Sequence, residues 1–213
     1  HVAHVSVFNT GKIVVGGKDS QLKILLTQMK MGIESGESLP GQVLPFEIDK
    51  LPQTIKERVP ECDPVIVRFI EEAIECFRSN ALLASAFMLG AASEKAINML
   101  VYTYAEAISE EKNKERFLTR INNRMISKKF EEFISSYKGC QNKPTDGVLS
   151  QDLEVIIGAM FQFCRVTRNE IGHPQIVPDL DRGVILANLG HFATYIERIH
   201  HLAAYFKSNG VKL

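Results

Sequence analysis

The stretch Asp63-Pro-Val-Ile-Val-Arg-Phe-Ile-Glu-Glu-Ala-Ile-Glu-Cys-Phe77 decides the fold class of this chain. Asp63 is a strong N-cap, and Pro64 suits the first helical position because its missing amide would have had no helical partner there. Behind them Ile66, Phe69, Ile70, Ala73, Ile74 and Phe77 recur at the spacing of one helical face. The same period continues downstream. A second helix is expected from about Ala81 to Ile108 with Leu83, Phe87, Ala91, Ile97, Leu100 and Tyr104 inward. Its broad apolar arc suits a central place in a bundle, and Gly90 and Ala91 permit close approach. A third region, Lys112 to Tyr137, carries Phe117, Ile121, Phe130, Phe133 and Ile134, with Asn122-Asn123 as a candidate break. A fourth helix is expected over Leu149 to Arg168. A fifth, about Leu180 to Lys207, repeats Ile185, Leu189, Phe192, Ile196, Ile199, Ala203 and Phe206 before Asn209-Gly210. The expected fold is mainly α, a bundle of four to five helices over residues 63–213.

Upstream the pattern changes. Val5-Ser-Val-Phe-Asn-Thr-Gly-Lys-Ile-Val-Val15 reads as two β-rich runs around a turn, where Gly11 supplies a left-handed residue. Asp19 or Ser20 then caps a helix with Leu22, Leu25, Leu26, Met29 and Ile33 at helical spacing. The run Phe8-Asn-Thr-Gly-Lys-Ile-Val-Val-Gly-Gly-Lys18 resembles the hairpin and helix entry of the TATA-binding-protein-like fold. Residues 1–35 are thus expected to be a small hairpin plus helix belonging to such a domain. A two-stranded hairpin is marginal by itself, and the chain lacks an initiator methionine, so the native protein is expected to begin further upstream. Residues 36–62 hold Pro40, Pro45, Pro52 and Pro60 without a sustained period, which predicts a Pro-rich linker.

Composition bounds the class. The 213 residues are 45% hydrophobic and 23% charged, enough for a good core. With 25 basic and 25 acidic residues, any nucleic-acid binding must come from locally clustered charge and not from a global field. The longest uncharged stretch, Ser79 to Ser93, is too short to span a bilayer, so no membrane partner is expected. Cys62, Cys76, Cys140 and Cys164 are spread without zinc-like or disulfide-framework spacing, and reduced thiols in a cytoplasm are the expectation.

The chemistry-bearing segment is Arg165-Val-Thr-Arg-Asn-Glu-Ile-Gly-His-Pro174. Arg168 is a permanent cation, and His173 is a titratable base after four intervening residues, released from the helix by Gly172 and Pro174. RNA can be cut without a metal when the ribose 2′-hydroxyl attacks the adjacent phosphate. That step needs a base for the hydroxyl proton and a cation for the charge growing on phosphorus. Arginine suits the second role because its planar fork holds two phosphate oxygens. On a helix Arg168 falls on the face of Ile157, Phe161 and Cys164, so an apolar stripe runs into a charge that requires a partner. The competing reading is that these residues merely close a helix, since cations favour helix C-termini.

The Arg168-Asn169-x3-His173 run, with its amphipathic helix ahead and Pro174 behind, resembles the HEPN superfamily of ribonucleases. The resemblance implies dimerisation across this surface, with Arg168 and His173 of both subunits in one cleft and Asn169 orienting the histidine or binding phosphate. With the N-terminal hairpin it also resembles the RNase LS family of phage-defence toxins. That likeness implies an antitoxin or other inhibitor protein as a partner and 2′,3′-cyclic phosphate ends on the product.

Supporting candidates are weaker. Glu94 is the only acid between Ala81 and Met99 and could orient Arg168, or could equally be an exposed surface acid. The run from Leu51 to Ile108 is similar to bacterial HEPN-like sequences carrying a glutamate there. Arg165 either touches a neighbouring phosphate or points to water. Arg116, Arg120, Arg124 and Lys128 recur every four residues, and on one continuous helix they would form a basic stripe for RNA. Like charges at that spacing cost about 0.2–0.5 kcal/mol per pair, so either a phosphate backbone or neighbouring glutamates must compensate. A break at Asn122-Asn123 would dissolve the stripe. His191, His200 and His201 lack a second ligand cluster, and Gly16-Gly17-Lys18 lacks the rest of a phosphate loop, so no metal or other cofactor is expected. The sequence therefore predicts a metal-independent endoribonuclease toxin acting on RNA as a cytoplasmic homodimer. A non-catalytic HEPN scaffold that binds nucleic acid or a protein partner is the alternative.

Overall fold

Asp63 caps its helix as its position demands. In the computed structural model, which describes residues 3–7, 13–17, 23, 47–145, 157, 158, 161 and 180–213, its side chain accepts from the Val65 amide at 2.9 Å. The chain divides into two compact units, His1–Phe46 and Glu47–Leu213.

In the first unit β1 (Ala3–Val7) pairs antiparallel with β2 (Ile13–Gly17), in the register Ala3 to Gly17, Val5 to Val15 and Val7 to Ile13. This is the hairpin expected from alternation about Asn9-Thr10-Gly11. Of the helix expected after it, Lys23 is described and is helical. Its remaining residues lie outside the described set.

The second unit is a mainly helical bundle. Its helices are α1 (Leu51–Arg58), α2 (Pro64–Arg78), α3 (Leu82–Ala107), α4 (Glu111–Ile121), α5 (Ile126–Gly139) and α6 (Arg182–Asn209). A 3-10 turn, Ile48–Lys50, leads into α1. These first elements correct the expected linker of residues 36–62, of which Ile48–Arg58 is folded. Ile48, Leu51, Ile55 and Val59 follow a helical period that four prolines obscured, and all four are buried. Pro52 lies in the first turn of α1, where a proline removes no helical hydrogen bond. The helix packs on α6 and α2, and the Arg58 guanidinium reaches Glu197 Oε2 at 3.4 Å.

α3 is the central element and packs most extensively on α2, then on α6. Its buried face differs from the expected one in the first half. Ser85, Ala86, Leu89, Ala92, Ser93 and Ala96 face inward, whereas Leu83, Phe87 and Ala91 are partly exposed. Small residues let neighbouring helices approach, and each buried hydroxyl is satisfied. Ser85 Oγ donates to the Ala73 carbonyl at 2.7 Å, and Ser93 Oγ meets the Tyr195 hydroxyl of α6 at 2.9 Å. On α2 the buried set is Ile66, Val67, Ile70, Ala73, Ile74 and Phe77, with Phe69 partly exposed.

The third region is two helices. α4 ends at Ile121, and Asn123 takes the left-handed conformation (φ 59°) that asparagine tolerates better than most residues. The two helices are clamped over α3 by aromatic packing about Tyr104, whose ring lies 5.3 Å from Phe117, 5.1 Å from Phe133 and 5.0 Å from Phe206. Burial pushes the Tyr104 hydroxyl up to about 12, and it shares a 2.9 Å hydrogen bond with Ser136 Oγ. Of the fourth expected helix, Ile157, Gly158 and Phe161 are described. All three are helical, Ile157 and Phe161 are buried, and Phe161 lies 4.9 Å from the Phe130 ring.

The C-terminus is tied down. Gly210 (φ 66°) ends α6, and the Val211 amide then donates to the Ala107 carbonyl at 2.7 Å while the Val211 carbonyl accepts from Ser109 at 3.0 Å. Asn142 completes the strap, donating to the Gly210 carbonyl at 3.0 Å and accepting from the Lys212 amide at 2.9 Å.

Candidate functional site

Arg165, Arg168, Asn169 and His173 lie outside the described residues. What the structure does describe, ahead of them in the chain, is Ile157, Gly158 and Phe161. Ile157 and Phe161 turn their side chains into the bundle, so the apolar stripe ahead of Arg168 is covered within the chain at those two positions. A second subunit is not needed to bury it there. Glu94 sits midway along α3, partly exposed.

The basic stripe requires correction. Arg116 and Arg120 belong to α4, Arg124 to the connection and Lys128 to α5, so the four do not share one helical face. All four are exposed, yet Arg120 reaches Glu132 at 3.6 Å and Lys128 reaches Glu131 at 2.6 Å. The acidic neighbours relieve part of the repulsion, as the less specific reading of these residues anticipated. Exposed pairs of this kind contribute at most about 1 kcal/mol.

A cleft of about 540 Å³ opens along the side of α3 instead, within the size range of ligand sites. Lys95, Asn98, Tyr102 and Glu106 line it at the three- and four-residue spacing of one helical face, and Asp63 and Lys207 close it from α2 and α6. Each carboxylate already has a partner. Asp63 Oδ2 lies 3.0 Å from Lys95 Nζ, and Glu106 Oε2 lies 2.5 Å from Lys114 Nζ. The hydrogen bond from the Val65 amide, helped by Lys95, holds the Asp63 carboxyl below its ordinary range. Lys129, from α5, braces the wall. Its ammonium donates to Asn98 Oδ1 and the Tyr102 hydroxyl, both at 3.1 Å, and lies 4.7 Å over the Tyr102 ring. Tyr102 in turn donates to Asn122 Oδ1 at 3.3 Å, so the α4–α5 turn helps to fix the wall.

Behind Asp63 and Lys207 stands His200. Its Nε2 is buried without a hydrogen-bond partner, and burial, with Lys207 and His201 nearby, lowers its pKa against the pull of Glu61 and Asp63. The imidazole is therefore held neutral near pH 7. Cys62, also close to Asp63, is pushed up to about 11 by burial, so it stays a thiol and is no nucleophile. The lining sets Lys95 and Lys207 against Asp63 and Glu106, and neither Cys62 nor His200 is poised for covalent chemistry.

The sequence reading missed this cleft, although a signal was present. The polar residues of α3 fall on one stripe of an otherwise apolar helix, and that stripe marks the face left outside the core. The contributions of Lys129 and Lys207 come from distant segments and carry no local signal. The chain matches no family model, no curated protein and no solved structure.

Proposed function

We propose that this chain is a metal-independent endoribonuclease that cuts RNA by 2′-hydroxyl transesterification, working as a homodimer and restrained by an inhibitor protein in the manner of a toxin. The run Arg168-Asn169-x3-His173 carries the reading. Its setting supports it: a mainly helical bundle in which the segment ahead of the motif is helical and buried at Ile157 and Phe161. On a helix continued two turns past Phe161, Arg168 would fall on the same face, where a cation needs a phosphate or a second subunit's charge.

In the proposed reaction His173 accepts the 2′-hydroxyl proton as the 2′-oxygen bonds to phosphorus. The bond from phosphorus to the 5′-oxygen then breaks, and that oxygen leaves with a proton returned by the imidazolium of a site histidine. Arg168 stabilises the extra negative charge on the phosphoryl oxygens. The products are a 2′,3′-cyclic phosphate and a 5′-hydroxyl.

The test is cleavage of total RNA in EDTA by the purified chain and by His173→Ala, with the mass of each measured by light scattering. Cleavage by the unaltered dimer and its loss in an equally dimeric variant is the expected result. If neither folded dimer cuts, the enzyme reading gives way to a binding scaffold built on the same helical unit.

A further inference from the structure

Among the described residues one buried side-chain nitrogen or oxygen lacks a hydrogen-bond partner, and it is Nε2 of His200 on α6. The buried hydroxyls of the bundle are satisfied, Ser85 by the Ala73 carbonyl and Ser93 by Tyr195. Native cores rarely leave such a group unpaired without a role. In an imidazolium both ring nitrogens are donors, so protonation of His200 puts a cationic N–H at Nε2, where no acceptor stands. Burial is the largest obstacle to that charge, and Lys207 and His201 of the same helix oppose it further. Glu61 and Asp63, on the connection between α1 and α2, attract it. Neither carboxylate bonds Nε2, and Asp63 is already engaged by the Val65 amide at 2.9 Å and by Lys95 at 3.0 Å. The Cys62 thiol between them is buried and neutral. Protonated His200 must therefore leave its site or draw Glu61 or Asp63 toward it, and each course disturbs the connection beside α6.

We propose that His200 is an acid-sensitive lock in the fold: neutral, it lets the connection between α1 and α2 seat against α6, and protonated, it loosens that seat together with the Asp63 cap of α2. The lock involves neither Arg168 nor His173, and it stands or falls separately from the cleavage reaction.

The experiment is urea unfolding of the full chain between about pH 7.5 and 5, a range in which the Asp63 carboxyl, held below 3.8, stays ionised. A ring that takes its proton less readily in the folded chain than in the unfolded one makes stability fall as pH drops below the unperturbed 6.5, and the fall ends once the folded ring is protonated. His200→Phe and His200→Gln cannot take that proton, so the midpoint of each is expected to fall less than the parent's across the range. His201→Gln, at an exposed position, is expected to keep the parent's pH dependence. By proton magnetic resonance the His200 ring signal, identified by its absence from the variants, is expected to titrate below 6.5 in the folded parent. Midpoints of the parent and the His200 variants that move in parallel with pH, or a ring that titrates at 6.5 or above, overturn the proposal. If His200→Phe fails to fold, His200→Gln and the ring titration decide it.

Discussion

Asp63 joins three roles in one carboxylate: it caps α2, pairs with Lys95 and closes the cleft beside α3. Its capping role was legible in the dipeptide Asp63-Pro64. The pairing with Lys95 was not, because nothing in a linear pattern says which α3 residue the start of α2 will meet. Asp63→Ala is expected to lower stability by about 1 kcal/mol, the usual cost of losing a helix N-cap. The pH dependence follows from the sign of the shift. The folded carboxyl lies below its unperturbed value of 3.8, so its contribution is present above that pH and is lost as pH falls through the folded value. Urea unfolding as a function of pH checks this. The gap between the parent and Asp63→Ala should narrow under acid, and Asp63→Asn, which keeps an acceptor, should recover part of the neutral-pH loss. A gap that stays constant into strong acid would show that ionisation of Asp63 is irrelevant to the cap.

At the scale of elements, two boundaries turn on backbone conformation. Asn123 and Gly210 both take positive φ, and each sits where the sequence placed a break or an end. Gly210 has a further constraint, since a Cβ built there would lie 3.0 Å from Ser109 Oγ. Gly210→Ala is expected to cost about 1 kcal/mol in urea unfolding, from left-handed strain together with a displaced Ser109. If its stability equals the parent's, the strap through Val211 adds nothing to the fold. α1 teaches the opposite lesson. Its prolines read as a linker, yet a helix forms because Leu51 and Ile55 find buried positions against α6 and α2. Tertiary burial outweighs weak local propensity when the proline occupies the first turn.

For the whole helical unit, stability centres on the aromatic cluster that joins α3, α4, α5 and α6. Phe133 is fully buried and touches Tyr104, Phe130, Tyr137 and Phe206. Phe133→Ala is expected to cost about 3–5 kcal/mol, read as a lower denaturation midpoint, whereas Phe133→Leu should cost distinctly less because it leaves a smaller cavity. Equal losses for the two would mean that ring-edge geometry, and not filled volume, sets the cost. Among the described residues no helix is long and apolar enough to cross a membrane.

The sequence by itself determined that the second unit is helical, where α2, α3 and α6 begin and end, that the third region could break at Asn122-Asn123, and that two strands pair near the N-terminus. Those features arise from periodicity, caps and glycine or asparagine conformations, which neighbours in the chain are enough to set. Only the tertiary structure decided which face of α3 is buried, that residues 47–59 belong to the bundle, that the basic positions from Arg116 to Lys128 divide between two helices, and that Lys129 reaches Asn98 and Tyr102 from a separate segment. These depend on which helices meet, and the choice among partners for a broadly apolar helix such as α3 is settled by packing volume and polar satisfaction across the whole core.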